Sequence, residues 1–319
     1  MIEAATTTAV AAPACWQDYV QLLKPRVMSL VVFTALTGLV CARTPMNPFL
    51  AGVAVFCIAV GAGASGALNM GFDSDIDGLM RRTRHRPVPS GRVQRSDALG
   101  LGVILSLFSV GLMALATNLV AAGLLAFTIF FYAVVYTLWL KRSTSQNIVI
   151  GGLAGALPPV IGWAAATGAT PLNAWLLCAI IFFWTPPHFW ALSLYTQEDY
   201  AKAGVPMLPV VKGAAATRRS ILAYSVLVAL LALVPAVTGL GGLLYLGLAG
   251  VGGAVFIALA FKLAASHAGD VPAGAGGLYD VKANAKDARN LFAFSILYLF
   301  GLFAALLAER FAGLPPLTS

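Results

Sequence analysis

Asn69, Asp73 and Asp77 stand four residues apart in the run Gly66-Ala-Leu-Asn-Met-Gly-Phe-Asp-Ser-Asp-Ile-Asp77, where a long apolar stretch gives way to charge. On a continuous helix each step of four overshoots a full turn by about 40°, so the three side chains share one stripe and Asp75 faces away. Three oxygen-bearing groups on one stripe suit a hard divalent cation such as Mg²⁺. That ion takes few protein carboxylates and completes its shell with water and phosphate oxygens. A solvated helix end also carries acids, but Asn69 sits about two turns inside the pattern, where a polar group is costly and faces a cavity or a partner. Arginines follow at 81, 82, 84, 86 and 92. Carboxylates beside guanidinium groups make a site of two signs, one for a metal and one for phosphate oxygens. Topology signals and contacts to anionic lipid use arginine as well, and Arg81, Arg84 and Arg95 are read that way. Pro87 and Pro89 end the helix and turn the chain.

A second polar group lies in Phe182-Phe-Trp-Thr-Pro-Pro-His-Phe-Trp190. Two adjacent prolines free backbone carbonyls and kink a helix. Inside a membrane this is tolerated where those groups are satisfied again or where a cavity opens. His188 follows directly. A lone histidine in a span is often hydrogen-bonded to a neighbouring helix; beside a Pro-Pro break and an aromatic wall, a pocket for a flat ring or an isoprenoid chain is the sharper reading. Asn69 and His188 lie 119 positions apart, and each precedes by 18 residues a proline in a charged loop, Pro87 and Pro206. The match hints at a parallel internal repeat, with a site at its interface.

The elements that position these groups are membrane spans. The chain has 319 residues, 60% hydrophobic and 10% charged, against about 25% charged in soluble domains, so lipid is its solvent. Cys15, Cys41, Cys57 and Cys178 are scattered and show neither disulfide nor zinc spacing. A span needs about 20 apolar residues. Nine runs qualify, near 26–42, 50–71, 97–116, 119–140, 148–166, 173–194, 220–238, 242–264 and 291–311. With nine, 18 of the 20 Lys and Arg residues fall on one side, leaving Arg43 and Arg310 on the other. Positive residues stay inside, so the N-terminus is expected in the cytoplasm and the C-terminus opposite. The net charge of +8 then belongs to loops at one membrane face, which excludes nucleic acid as its partner. Three inner loops are long, 72–96, 195–219 and 265–290. The expected organisation is a flexible cytoplasmic tail over 1–23 without a secretory signal, one membrane domain over 24–312, and a short tail over 313–319.

These motifs carry a resemblance. Asn69-xxx-Asp73-xxx-Asp77 resembles the first motif of the UbiA superfamily of membrane prenyltransferases, in an all-α polytopic bundle of nine transmembrane helices. Lys24-Pro25-Arg26, Tyr136-Thr137 with Lys141-Arg142, Gly151 to Trp163, Phe183 to Leu192 and Ala203-Gly-Val-Pro-Met-Leu-Pro209 resemble its heme-farnesylating branch. The resemblance implies transfer of a farnesyl group from farnesyl diphosphate to heme b, giving heme O, in a bacterial inner membrane. A heme A synthase would receive the product. It also implies catalytic roles for Asn69, Asp73, Asp77, Arg82, Arg86 and His188. Arg82, Arg86, Lys141 and Lys202 would hold diphosphate, His188 would meet the heme substrate, and Asn69, Asp73, Asp77 and Asp199 would hold Mg²⁺. One departure stands out. The second Asp-xxx-Asp motif of most of the superfamily is replaced by Thr196-Gln-Glu-Asp-Tyr200, which leaves Glu198 and Asp199 to hold any second ion. The rival readings are a related prenyltransferase acting on 4-hydroxybenzoate, against which the missing motif argues, and a cation-coupled transporter. A transporter binds near the membrane midplane, whereas these groups cluster near one face.

Overall fold

The computed structural model describes residues 14–270 and 285–317, and every regular element among them is helical. Helix α1 (Trp16–Leu22) leads into α2 (Pro25–Cys41), α3 (Pro48–Phe72), the short α4 (Ser74–Leu79) and α5 (Arg95–Ala116). Helix α6 (Leu119–Phe130) continues as a π-helix over Phe131–Leu140 and ends in the single turn α7 (Lys141–Ser143). Then come α8 (Asn147–Ala156), α9 (Pro158–Thr167), α10 (Leu172–Leu194), α11 (Gln197–Lys202), α12 (Leu208–Leu231), α13 (Val234–Val237), α14 (Leu243–Ala265) and α15 (Lys286–Phe311). Among the described residues eight continuous helical stretches are long and apolar enough to cross a membrane, and the pair α1–α2, bent by 49°, makes a ninth. Side chains such as Leu107, Leu115, Val251 and Leu297 point outward from these helices, fully or largely exposed. An apolar exterior of this extent is the surface of a multi-pass membrane protein.

The helices close into one bundle. Helix α3 packs against α5 and α2 against α9, α10 joins α8 to α12, α14 lies between α12 and α15, and α15 returns to α2. The seam between α2 and α9 depends on two glycines. A Cβ at Gly38 would collide with the Pro159 carbonyl, and one at Gly162 with that of Ala35. Small residues let helix backbones approach where lipid supplies no hydrophobic drive between helices.

Two expectations change. Residues 16–22 form α1, part of what was expected as a flexible tail. Asp18 is buried and accepts from Arg92 Nε at 2.8 Å, and Leu22 is wholly enclosed with Ala67, Met70 and Val88. Residues 1–13 of that tail, and Lys282 in the last inner loop, lie outside the described residues. The expected loop 195–219 is largely helical, because its Ala-rich second half joins α12 across a bend at Gly213, where φ is +78°.

Gly38→Val should destabilise the bundle by about 1–3 kcal/mol or more through overpacking at this seam. Gly111→Ala, with open space around it, should leave stability unchanged or slightly higher. Thermal unfolding of the two variants in detergent checks both.

Candidate functional site

Helix α3 is interrupted at Asp73, where φ is −90° and ψ is 7°. The turn-to-turn bonds nevertheless run on, Asp73 N–H to Asn69 at 2.9 Å and Asp77 N–H to Asp73 at 2.8 Å. The stripe expected from the spacing therefore survives the break into α4. Asn69, Asp73 and Asp77 are all buried, whereas the Asp75 side chain is 60% exposed.

Cations from three other segments converge on the stripe. Lys24 Nζ donates to Asn69 Oδ1 at 2.5 Å, and Lys141 Nζ to Asp73 Oδ2 at 2.5 Å. Arg86 Nη1 reaches Asp77 Oδ2 at 2.6 Å. Arg142 lies 3.6 Å from Asp73 Oδ1, grips Asp75 with both terminal nitrogens, and donates to the Phe72 carbonyl. It thereby braces the end of α3 against the π-helix. Burial pushes the Asp73 carboxyl above the usual carboxylate range, with the Lys141 ammonium pulling the other way. The Arg142 guanidinium holds Asp75 down to about 2. One oxygen on each buried carboxylate, Asp73 Oδ1 and Asp77 Oδ1, has no hydrogen-bond partner. Orphaned buried acceptors of this kind are rare, and two of them on one stripe fit a hard cation that takes the rest of its shell from elsewhere. Among the described residues no group of three His, Cys, Asp or Glu side chains gathers. The donor set is therefore two carboxylates with the Asn69 amide beside them.

The amide is oriented from the π-helix. Asn69 Nδ2 donates to Asp73 Oδ2 at 2.7 Å and to Thr137 Oγ1 at 3.0 Å, so its oxygen turns toward Lys24. Thr137 in turn donates to the Tyr132 carbonyl five residues back, at 2.8 Å, in the π register. Wide helical turns concentrate at functional sites. Lys24 occupies the break between α1 and α2 with a positive φ of 53°, a conformation that costs of order 1 kcal/mol and persists where surroundings impose it. It lines a largely apolar cavity of about 120 Å³ bounded by Met28, Ile58, Leu125, Tyr132 and Ile161. Gly61, Gly66 and Gly155 contribute to its walls.

Other candidate residues stand apart. Lys202 pairs with Glu198, both about half exposed. Asp199 is half-buried on α11, and its carboxylate has no bond to the stripe. Tyr200 and Met207 do pack on Ile76 and Met80, bringing the α11 region against α4. Arg82 is exposed and has no acid partner among the described residues. His188 lies buried on α10 between the rings of Trp184 and Phe292, at 4.3 and 4.4 Å, with Nδ1 2.7 Å from Ser295 Oγ. The two readings of this histidine thus meet: it is held by a neighbouring helix and sits in the aromatic wall. Sequence reasoning gave no role to Lys24, Thr137 or Arg142. The only signal was their place in the motifs Lys-Pro-Arg, Tyr-Thr and Lys-Arg.

Residues 31–275 match the model of the UbiA prenyltransferase family. A protein named protoheme IX farnesyltransferase from Caulobacter vibrioides is 67% identical over 95% of this chain and 94% of its own length. Another with that name, from Hyphomonas neptunium, is 56% identical over 98% of each. Among solved structures, a digeranylgeranylglyceryl phosphate synthase superposes with a TM-score of 0.73 at 17% identity, over 93% of this chain and 98% of that one. A UbiA homolog from Archaeoglobus fulgidus bound to DMAPP and Mg²⁺ gives 0.60 at 16%, over 90% and 99%. These structures share the fold.

Thr137→Val should leave one buried Asn69 N–H unpaired and lower stability by about 1–3 kcal/mol, while Thr137→Ser should retain most of it. Equilibrium unfolding in detergent reads the difference.

Proposed function

The chain belongs to the UbiA prenyltransferase family, and we propose that it transfers the farnesyl group of farnesyl diphosphate to a vinyl group of heme b, giving heme O and diphosphate. The naming of relatives 52–67% identical over nearly the whole chain supports this choice of substrates over 4-hydroxybenzoate or an ion. The observation that carries the geometry is the junction at Lys24, which bonds Asn69 through its ammonium and lines the apolar cavity. A substrate with a charged head and a fifteen-carbon tail has the same division.

In this reading Asn69, Asp73 and Asp77 hold Mg²⁺, with Asp199 on α11 as the candidate for a further ion. The bound ion supplies positive charge to the departing diphosphate. Lys141, Arg86 and Lys24 bond Asp73, Asp77 and Asn69 respectively and offset the negative charge that develops as the allylic C–O bond breaks. Fixed charges of this kind contribute roughly 3–4 kcal/mol each. Arg82, free of any acid, and Lys202 on α11 are the other diphosphate contacts proposed. The C–O electron pair leaves with diphosphate, and the apolar walls shield the allylic cation from water. The terminal vinyl carbon of heme supplies the pair for the new C–C bond. Water then adds at the adjoining carbon, beside the pyrrole, and loses a proton. No strong protein base is needed. His188, with its ring in the aromatic wall, is the proposed contact to the heme substrate. Residues 24–312 make one catalytic membrane domain. The Lys and Arg distribution supports a site at the cytoplasmic face; a bacterial inner membrane and a heme A synthase that receives heme O complete the reading.

Purified protein given heme b, farnesyl diphosphate and Mg²⁺ should form a later-eluting heme heavier by one farnesyl group and one hydroxyl. Mass spectrometry of the extracted hemes identifies it. EDTA should abolish the product, and Asp73→Asn should lower its rate by about 100-fold or more. Unchanged heme from folded protein would refute the acceptor assignment.

A further inference from the structure

The first turns of α15 present Arg289, Phe292 and Ser295 at three-residue spacing to the end of α10. Ser295 Oγ meets His188 Nδ1, and its carbonyl accepts from Trp184 Nε1 at 2.8 Å. Phe292 stacks on His188 and meets Tyr195 edge-on at 6.5 Å. Arg289 sits over the Tyr195 ring, its guanidinium carbon 5.7 Å from the centroid. One face of α15 thus runs from a cation at the charged end of the bundle down into the aromatic wall.

Arg289 is exposed, and among the described residues it has no acid partner. Acids of the same end are paired elsewhere: Asp287 with Lys262, Glu198 with Lys202, Asp270 with Arg218. The diphosphate centre has its own cations bonded to its own carboxylates. One guanidinium therefore borders the Tyr195 ring at the charged end of the α10 wall. A guanidinium pairs a carboxylate through two parallel bonds, and an aromatic face beside it suits a flat ring. A dicarboxylate on a planar macrocycle matches both.

We propose that Arg289 anchors a propionate carboxylate of the heme substrate at the charged end of the α10–α15 seam. This rests on the heme reading above. Heme b carries both propionates on one edge and its vinyl groups away from it. Holding the carboxylate edge at Arg289 sends the vinyl-bearing edge toward the interior of the bundle.

The test compares binding of protoheme and of protoheme dimethyl ester, followed by the Soret band, to the full chain in detergent. Wild type should bind the free acid about tenfold or more tighter than the ester. Arg289→Gln should abolish most of that preference, and Arg289→Lys, which keeps the charge but not the paired geometry, should retain part of it. Calorimetric binding of Mg²⁺ with inorganic pyrophosphate should be unchanged in Arg289→Gln. A variant that keeps the wild-type preference for the free acid overturns the assignment of Arg289 and leaves the heme reading intact. A variant that loses pyrophosphate binding while keeping the preference makes Arg289 a diphosphate residue instead. Wild type that binds neither porphyrin overturns the heme reading and this proposal with it.

Discussion

Two carboxylates, Asp73 and Asp77, are buried at the end of a membrane helix, and the surrounding structure answers their charge. An ionised carboxylate away from water is costly unless it is paired and hydrogen-bonded. Here the partners come from separate elements: Lys141 and Arg142 from the end of the π-helix and α7, Arg86 from the loop after α4. Each arrives at the same end of the bundle because spans alternate in direction. Even so, one oxygen on each acid remains without a hydrogen-bond partner, although Arg142 lies 3.6 Å from that of Asp73. That remainder is what the proposed divalent cation would fill.

The same constraint shapes the nearby backbone. The Arg-rich loop folds over the end of α3, with Thr83 bonded to the Asp77 carbonyl and Val88 and Val93 packed beneath α1. Lys24 accepts a left-handed conformation to place its ammonium on Asn69. The π register sets Thr137 against that amide, one turn from Lys141. The candidate site is thus built on irregular backbone at helix ends and breaks, whereas the regular helices supply the apolar cavity and the lipid-facing exterior.

Much of this was legible in the amino-acid order. The spans follow from apolar length, and the stripe of Asn69, Asp73 and Asp77 from helical period, even though the helix breaks within it. The break did not matter because the backbone bonds between successive turns continue through Asp73. What could not be read were contacts that need three dimensions. Lys24 lies 45 residues from Asn69, and Thr137 lies 68 from it. No local pattern announces a π-helix in Phe131–Leu140, an apolar run that fits an ordinary span equally well. Helix α1 lies within residues 1–23, whose Ala/Thr-rich composition without Lys or Arg suggests a flexible tail. Its order comes from Asp18 meeting Arg92, 74 residues away.

The central claim is that Asp73 and Asp77 bring a divalent cation and a prenyl diphosphate together at the mouth of the apolar cavity. It is tested most directly with Mn²⁺ in place of Mg²⁺ and an unreactive farnesyl thiodiphosphate, by pulsed electron paramagnetic resonance. The account predicts ³¹P coupling to protein-bound Mn²⁺ in wild type and its loss in Asp73→Asn. Undiminished ³¹P coupling in folded Asp73→Asn, with the same Mn²⁺ affinity, would contradict it.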